Sequence, residues 1–456
     1  MKHLTLDLSG FSASAIAGAG ISDSDLDGIA PRARDAFAEA MACWKRGDVG
    51  FWDLPDDHGA VADAKAAAAR LPAEVDTLVV LGIGGSSLGP HALWSALVPP
   101  FGERGAGRRL LFPDNSDPAT MAALLASCPP ERTAYNVVTK SGGTAETAAQ
   151  LLIVERHLVA AVGEEGARAR LLATTDPERG GLRALAGERG WATLPVPANV
   201  GGRFSVLSAV GLYPAAVAGL DIAGLLDGAR AVRDDIVAAG DDLRKNPALA
   251  LAALLHWQNA EAGRPLVVVM PYADALYDCA DWFRQLWGES LGKRSDIAPT
   301  PIASRMATDQ HSQLQLYTEG PDDKSYLVLA PAKRPALVMP GDGPVAARPE
   351  YGYLANRQLG ELIDAELRGT VASLGARQRP VATLLLDEVS SPAVGALLFL
   401  FEAAAAFAGP LYGVNPYDQP GVEEAKRLAF GALGRPGFEA EAEKLAVRPR
   451  PGGLIF

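Results

Sequence analysis

The chain has 456 residues, 42 Lys+Arg against 54 Asp+Glu, a formal net charge of −12, and 48% hydrophobic against 21% charged residues. The length suggests about three domains or two large ones, and the balance excludes a disordered chain. The acidic excess excludes sequence-independent nucleic-acid binding, which needs a positive surface, but leaves room for one small cationic pocket. Cys43, Cys128 and Cys279 are too scattered for a disulfide framework or a zinc site, and the six histidines keep no metal-ligand spacing. The opening MKHLTLDLSG has neither the apolar run nor the cleavage pattern of a secretory signal. The expectation is a soluble, cytoplasmic protein with no membrane segment and no metal.

Residues 1 to about 75 read as helical, on Ala-rich runs such as Ala62 to Arg70. The pattern then changes to short Leu- or Val-rich runs, each closed by a small or polar residue and followed by a helical stretch. They are Thr77 to Gly82, Arg108 to Asp114, Ala134 to Lys140, Arg170 to Thr175 and Trp191 to Pro197. This alternation predicts βαβ units and a mostly parallel sheet covered by helices on both faces. A second helical stretch, Leu220 to Gly263, precedes a new strand–helix series with its clearest strands at Pro265 to Pro271, Ser325 to Pro331 and Pro380 to Asp387. Gly341 to Tyr351 reads as a loop, and the terminal PRPGGLIF carries no usable pattern. The apolar stretch Ala393 to Val414 holds Glu402 near its middle. A charge there is costly in lipid, so the stretch is expected to be a buried core helix rather than a membrane span. The fold class is therefore α/β, two tandem doubly wound domains with mostly parallel sheets flanked by helices. The expected boundaries are an N-terminal helical segment over 1–50 packing on the larger domain, a first domain over 51–219, and a second over 220–456 with C-terminal helices.

The strongest local signal is VVLGIGGSSLGP, Val79 to Pro90. A strand runs into a Gly-Ser turn that opens a helix, a natural anion site. Three readings compete for it. A dinucleotide fold fails at its third glycine, where Ser87 stands, although Asp114 invites a ribose contact. A Walker loop lacks its terminal G-K-[ST]. Gly85 to Gly89 does match G-x-S-x-G, the nucleophile elbow of hydrolases, with Ser87 as nucleophile. A second strand–loop–helix segment, Asn136 to Thr147, offers the hydroxyls of Thr139, Ser141 and Thr144 with Lys140 beside them. Such groups can surround a phosphate with directed donors, or be an ordinary capped turn. Asn199 to Leu212 then places Gly201-Gly202 before Arg203, an arginine fit to stabilise substrate charge or simply a surface residue after a turn.

Further along, RQLWGESLGK (Arg284 to Lys293) sets Gln285 and Glu289 four apart on one helix face. Glu289 among Trp, Leu and Gly residues suits a partly desolvated general base; the plain alternative pairs it with Lys293. His311 sits between polar residues at a break in pattern. Tyr417 to Phe430 gives Gln419 and Lys426 around a helix start, which on its own reads as a capped amphipathic helix.

In this order the segments GIGGSSLGP, TKSGGTAET, NVGGRFSVLSAVGL, QLWGESLGK, DQHSQLQ and DQPGVEEAKRLAF resemble the glucose-6-phosphate isomerase (phosphoglucose isomerase) family in its shorter bacterial form, from about Val79 to Leu445. The resemblance implies two sugar-isomerase (SIS) domains and a homodimer with shared active sites. It also implies interconversion of glucose 6-phosphate and fructose 6-phosphate, in glycolysis and gluconeogenesis, with no cofactor. Carried over, Ser86, Thr139, Ser141 and Thr144 would hold the sugar phosphate, with Lys140 nearby. Glu289 would be the base, His311 and Lys426 would open the ring, and Arg203 would lie beside the intermediate. His311 would reach the site from the partner subunit. Gly85, Gly202, Gln285 and Gln419 would line it. Thr139 stands where many relatives carry Ser, Gly142-Gly143 replace larger residues, and Trp287 and Leu291 alter the base-bearing helix.

Overall fold

The computed structural model describes residues 1–101 and 107–447, so the terminal PRPGGLIF lies outside the described residues. The chain forms two compact units, Met1–Pro416 and Tyr417–Phe456. The larger unit carries two five-stranded sheets. The first joins β2 (Thr77–Leu81), β3 (Arg109–Leu111), β4 (Thr133–Val138), β5 (Leu171–Thr175) and β6 (Ala192–Pro195) in the order β3-β2-β4-β5-β6, all parallel. Every residue of β2, β4 and β5 is buried, as expected for parallel strands covered on both faces. The second sheet runs β1-β10-β9-β7-β8, from β1 (Leu4–Asp7), β7 (Leu266–Pro271), β8 (Thr300–Ala303), β9 (Lys324–Pro331) and β10 (Val381–Leu386).

The five strands read in the first sheet and the three read in the second are all present. Two others were not anticipated. β8 is an edge strand interrupted by Pro301, a residue that weakens any strand signal. β1 corrects the helical reading of the N-terminal segment. It pairs antiparallel with β10, Leu4 opposite Leu386, and lies in the second sheet. The loop read over Gly341 to Tyr351 contains one short helix, Gly343–Ala346.

Ser391–Tyr412 is the central helix of the larger unit. By length and composition it could cross a bilayer, yet nearly all of it is buried inside the fold. It packs on the helices Ile222–Ala239 and Pro247–Ala260, on Asp23–Lys45, and on Tyr277–Leu291. Aromatic rings mark two of these contacts, Phe37 with Phe407 at 5.6 Å and Phe283 with Phe401 at 4.6 Å between centroids, and Trp52, from the turn after Asp23–Lys45, meets Phe399 at 5.4 Å. A Cβ on Gly395 would stand 1.9 Å from the Leu225 carbonyl oxygen, so only glycine lets the two helix backbones approach this closely.

Glu402 is completely buried in this helix, neither carboxylate oxygen has a hydrogen-bond partner among the described residues, and burial pushes its pKa well above the ordinary value of 4.5. It packs as a neutral acid, which is how a carboxyl survives in an apolar core. Above the ordinary carboxylate pKa the unfolded chain gives up this proton and the native state keeps it. Unfolding free energy therefore falls as pH rises toward the raised value. Glu402→Gln removes that proton linkage. Urea unfolding should show the variant gaining on the parent between about pH 5 and pH 8. A difference that stays constant over that range would show that Glu402 is not held protonated.

Candidate active site

The order of the first sheet reverses direction at β2. The chain leaves β2 for β3 on one side and returns to β4 on the other. At such a switch point the two following loops diverge and open a crevice at the strand ends, the usual ligand site of open α/β sheets. The loops here are the two hydroxyl- and glycine-rich segments.

After β2 the chain makes a tight turn, Gly84–Ser86, and enters the helix Leu88–Leu97. Gly85 is buried, and a Cβ on it would lie 2.3 Å from the Gly202 carbonyl and 2.7 Å from the Arg203 nitrogen. Gly89 likewise leaves no room, since its Cβ would meet Val206 at 2.8 Å. The glycines thus seat one loop on the other and fix Arg203 above the first. Ser86 is half-buried at the turn. Ser87 is completely buried, and its hydroxyl has no hydrogen-bond partner among the described residues. A nucleophile elbow must present its hydroxyl to substrate, so the G-x-S-x-G match is not one.

After β4, Thr139 and Thr144 face each other with hydroxyl oxygens 3.0 Å apart, and Thr144 precedes the helix Ala145–Arg168. Ser141 is exposed, and its hydroxyl accepts the Gly143 N–H at 3.3 Å. Three hydroxyls therefore surround a helix N-terminus, an arrangement suited to an anion. Gly142 has φ +68°, and a Cβ there would lie 2.6 Å from the Leu182 nitrogen. The small residues at this position let the loop lie directly on the start of the helix Gly181–Arg189. A cavity of about 300 Å³ backs onto this loop between the two helices, with Leu151, Leu182 and Trp191 in its walls. Apolar walls do not suit a sugar, so the polar side of the loop is the candidate anion site.

Lys140 has a different place from the three hydroxyls. Its ammonium donates to the carbonyls of Ala198, at 2.6 Å, and Val200, at 2.9 Å. Burial holds its pKa below the ordinary lysine value, opposed by Asp176. Lys140 therefore ties the hydroxyl loop to the segment leading into Arg203.

Arg203, 3% exposed, is no surface residue. Its Nε donates to Ser290 Oγ at 2.7 Å, its Nη2 to the Pro416 carbonyl, and its Nη1 lies 3.4 Å from Glu289 Oε1. Glu289 Oε2 accepts from Gln285 Nε2 at 2.9 Å, one helical turn away. Glu289 is a quarter exposed, so its carboxylate can be reached from outside while being flanked by a cation and an amide. Lys293, the alternative partner, donates to the Asn415 carbonyl. Gln285 also contacts the first loop: a Cβ on Gly84 would sit 2.9 Å from its Nε2. The structure thus brings together Gly85, Gly202, Arg203, Gln285 and Glu289, and adds Ser290, which no sequence pattern singled out.

His311 is exposed at the end of the turn Thr308–Gln310, and its ring takes part in no hydrogen bond or ion pair among the described residues. Its turn is fixed by its neighbours. Gln310 donates to Tyr272 and Thr370, at 2.9 and 2.7 Å, and Asp309 accepts from the Arg305 N–H at 2.7 Å. In the smaller unit, Gln419 precedes the turn Pro420–Val422, and Lys426 lies on Glu423–Ala432, where it pairs with Glu423 at 3.0 Å.

The Lys140 tie is testable without any substrate. Hydrogen bonds to a charged group contribute about 1.5–3 kcal/mol. Lys140→Met should accelerate amide exchange over residues 196–205 by roughly tenfold or more. Unchanged exchange there would show that Lys140 ties nothing.

Comparison with known proteins bears on the whole chain. The phosphoglucose isomerase family profile matches residues 65–314 and 366–439. A glucose-6-phosphate isomerase of Rubrobacter xylanophilus is 44% identical over 92% of this chain and 96% of its own, and one from Carboxydothermus hydrogenoformans is 42% identical over 95% and 96%. Among solved structures, a hypothetical protein from Thermus thermophilus superposes with a TM-score of 0.85 at 35% identity, covering 94% of this chain and 99% of that one. A glucose-6-phosphate isomerase from Chlamydia trachomatis shares the fold, with a TM-score of 0.76 at 22% identity over 98% of this chain and 92% of that one. The spaced motifs, the paired α/β sheets and these full-length matches lead to one assignment: the chain belongs to the phosphoglucose isomerase family.

Proposed function

We propose that this protein is a glucose-6-phosphate isomerase, an aldose–ketose isomerase that interconverts glucose 6-phosphate and fructose 6-phosphate in glycolysis and gluconeogenesis. The observation that carries the reading is the reachable carboxylate of Glu289, flanked by Arg203 and Gln285. The reaction moves one proton between adjacent carbons of an opened sugar, and one carboxylate reaches both carbons of a planar cis-enediolate. That intermediate develops negative charge on oxygen, and a preorganised guanidinium stabilises it where water would have to reorganise. The hydroxyls of Ser86, Thr139, Ser141 and Thr144 hold the phosphate, and that remote binding orients the reacting carbons. His311 and Lys426 open the ring, one donating to the ring oxygen while the other takes the anomeric proton. Gly85, Gly202 and Gln419 line the substrate, and Lys140 keeps the phosphate loop in register with Arg203.

The reading includes a homodimer in which His311 acts across the interface. Two features support it: the exposed imidazole, and the exposed apolar side chains of Leu337, Val338, Val345, Tyr351 and Tyr353 on one segment after β9. Monomeric protein in sedimentation that keeps full activity would overturn the shared site. Cytoplasmic location is part of the same reading, supported by the three free thiols Cys43, Cys128 and Cys279.

Purified protein supplied with fructose 6-phosphate should produce glucose 6-phosphate, detected with a coupled dehydrogenase. Glu289→Gln should lower kcat by roughly 10²–10⁴-fold, the usual contribution of a general base. Turnover that survives the substitution would refute the role of Glu289. Ser87→Ala should leave turnover intact, whereas an acyl hydrolase would lose it.

A further inference from the structure

We infer that Ser290 is a positioning residue for the isomerisation: its hydroxyl takes up the Nε–H of Arg203 and keeps the guanidinium from closing onto the base. The inference rests on the isomerase reading above. Ser290 and Glu289 are consecutive on the helix Tyr277–Leu291, and both face Arg203. Two contacts of the guanidinium go to this helix. The short contact, 2.7 Å, goes to the neutral hydroxyl, and the long one, 3.4 Å, goes to the carboxylate. An unconstrained arginine would do the reverse. Arginine–carboxylate hydrogen bonds run at about 2.7–2.9 Å and are often bidentate.

A guanidinium can grip a carboxylate in parallel through two edges, Nε with Nη2 or Nη1 with Nη2. Here Nε is engaged by Ser290, which takes the Nε–Nη2 edge, and Nη2 gives one of its two N–H groups to the Pro416 carbonyl. Ser290 is completely buried, so no bulk water competes for the Nε–H. The consequence is chemical. A carboxylate held by two charge-assisted hydrogen bonds has its lone pairs directed at arginine and accepts a carbon-bound proton poorly. At 3.4 Å the positive charge remains beside the site of enediolate charge, while the base keeps an oxygen for the proton.

Ser290→Ala removes the restraint on a helix where alanine is well tolerated. Fructose 6-phosphate turnover should fall about 10- to 100-fold in kcat, the scale of a misplaced catalytic group, with KM within about twofold of the parent. Ser290→Thr, which restores the hydroxyl, should recover most of the loss. The deciding measurement is the same alanine substitution made in an Arg203→Lys background. Lysine has no Nε–H to hold, so Ser290→Ala should there cost little. An unchanged kcat, or an equal loss in both backgrounds, would overturn the positioning role and leave the isomerase reading standing. No turnover by the parent protein would overturn both.

Discussion

A guanidinium withdrawn from water costs several kcal/mol unless its charge and its donors are met, and the surroundings of Arg203 are organised by that demand. Its partners come from far apart in the chain: Glu289 and Ser290 from one helix and the Pro416 carbonyl from the end of the larger unit. Meeting the donors therefore brings the segment that follows the first sheet against the helix Tyr277–Leu291. The same pairing places positive charge next to Glu289, the proposed base. On the proposed function, stability and chemistry are served by one set of contacts.

Close backbone packing makes this arrangement possible. Gly85 lies on Gly202 with no space for a methyl, and Gly142 lies on the start of the helix Gly181–Arg189 in the same way. The two loops that flank the switch point are thus held by crowding rather than by long side chains. Lys140 adds a polar tie between the hydroxyl loop and the residues before Arg203. An acidic protein can build a candidate anion site in this manner, since backbone N–H groups and hydroxyls suit an anion with few cations required.

Much of the fold was legible because parallel strands buried on both faces are written as unbroken apolar runs, as in β2, β4, β5 and β9. β1 and β8 were not, for local reasons. LTLD is four residues long beside polar neighbours, and TPIA contains a proline. Of the site, the glycine loops and the Gln285–Glu289 spacing could be read directly, since both depend on residues close in sequence. The burial of Arg203 could not, because the carbonyl that receives its Nη2 lies more than two hundred positions away. Ser290 gave no signal, because a serine within a helix is commonplace until something is seen to donate to it. Lys140 looked like a phosphate ligand by composition, but its ammonium is committed to Ala198 and Val200.

The first strand has a consequence for how the molecule is made. Strands β2 to β6 follow one another without interruption, so the first sheet can assemble as soon as residues up to Pro195 have left the ribosome. The second sheet has no such freedom. Its β1 precedes every other strand in the chain, yet the strand it pairs with, β10, ends at Leu386. Leu4 to Asp7 must wait, with the backbone donors and acceptors of that edge uncommitted, until β10 has been translated. Pairings of such long sequence separation close late and slowly. The earliest strand in the chain is accordingly among the last to be locked in place.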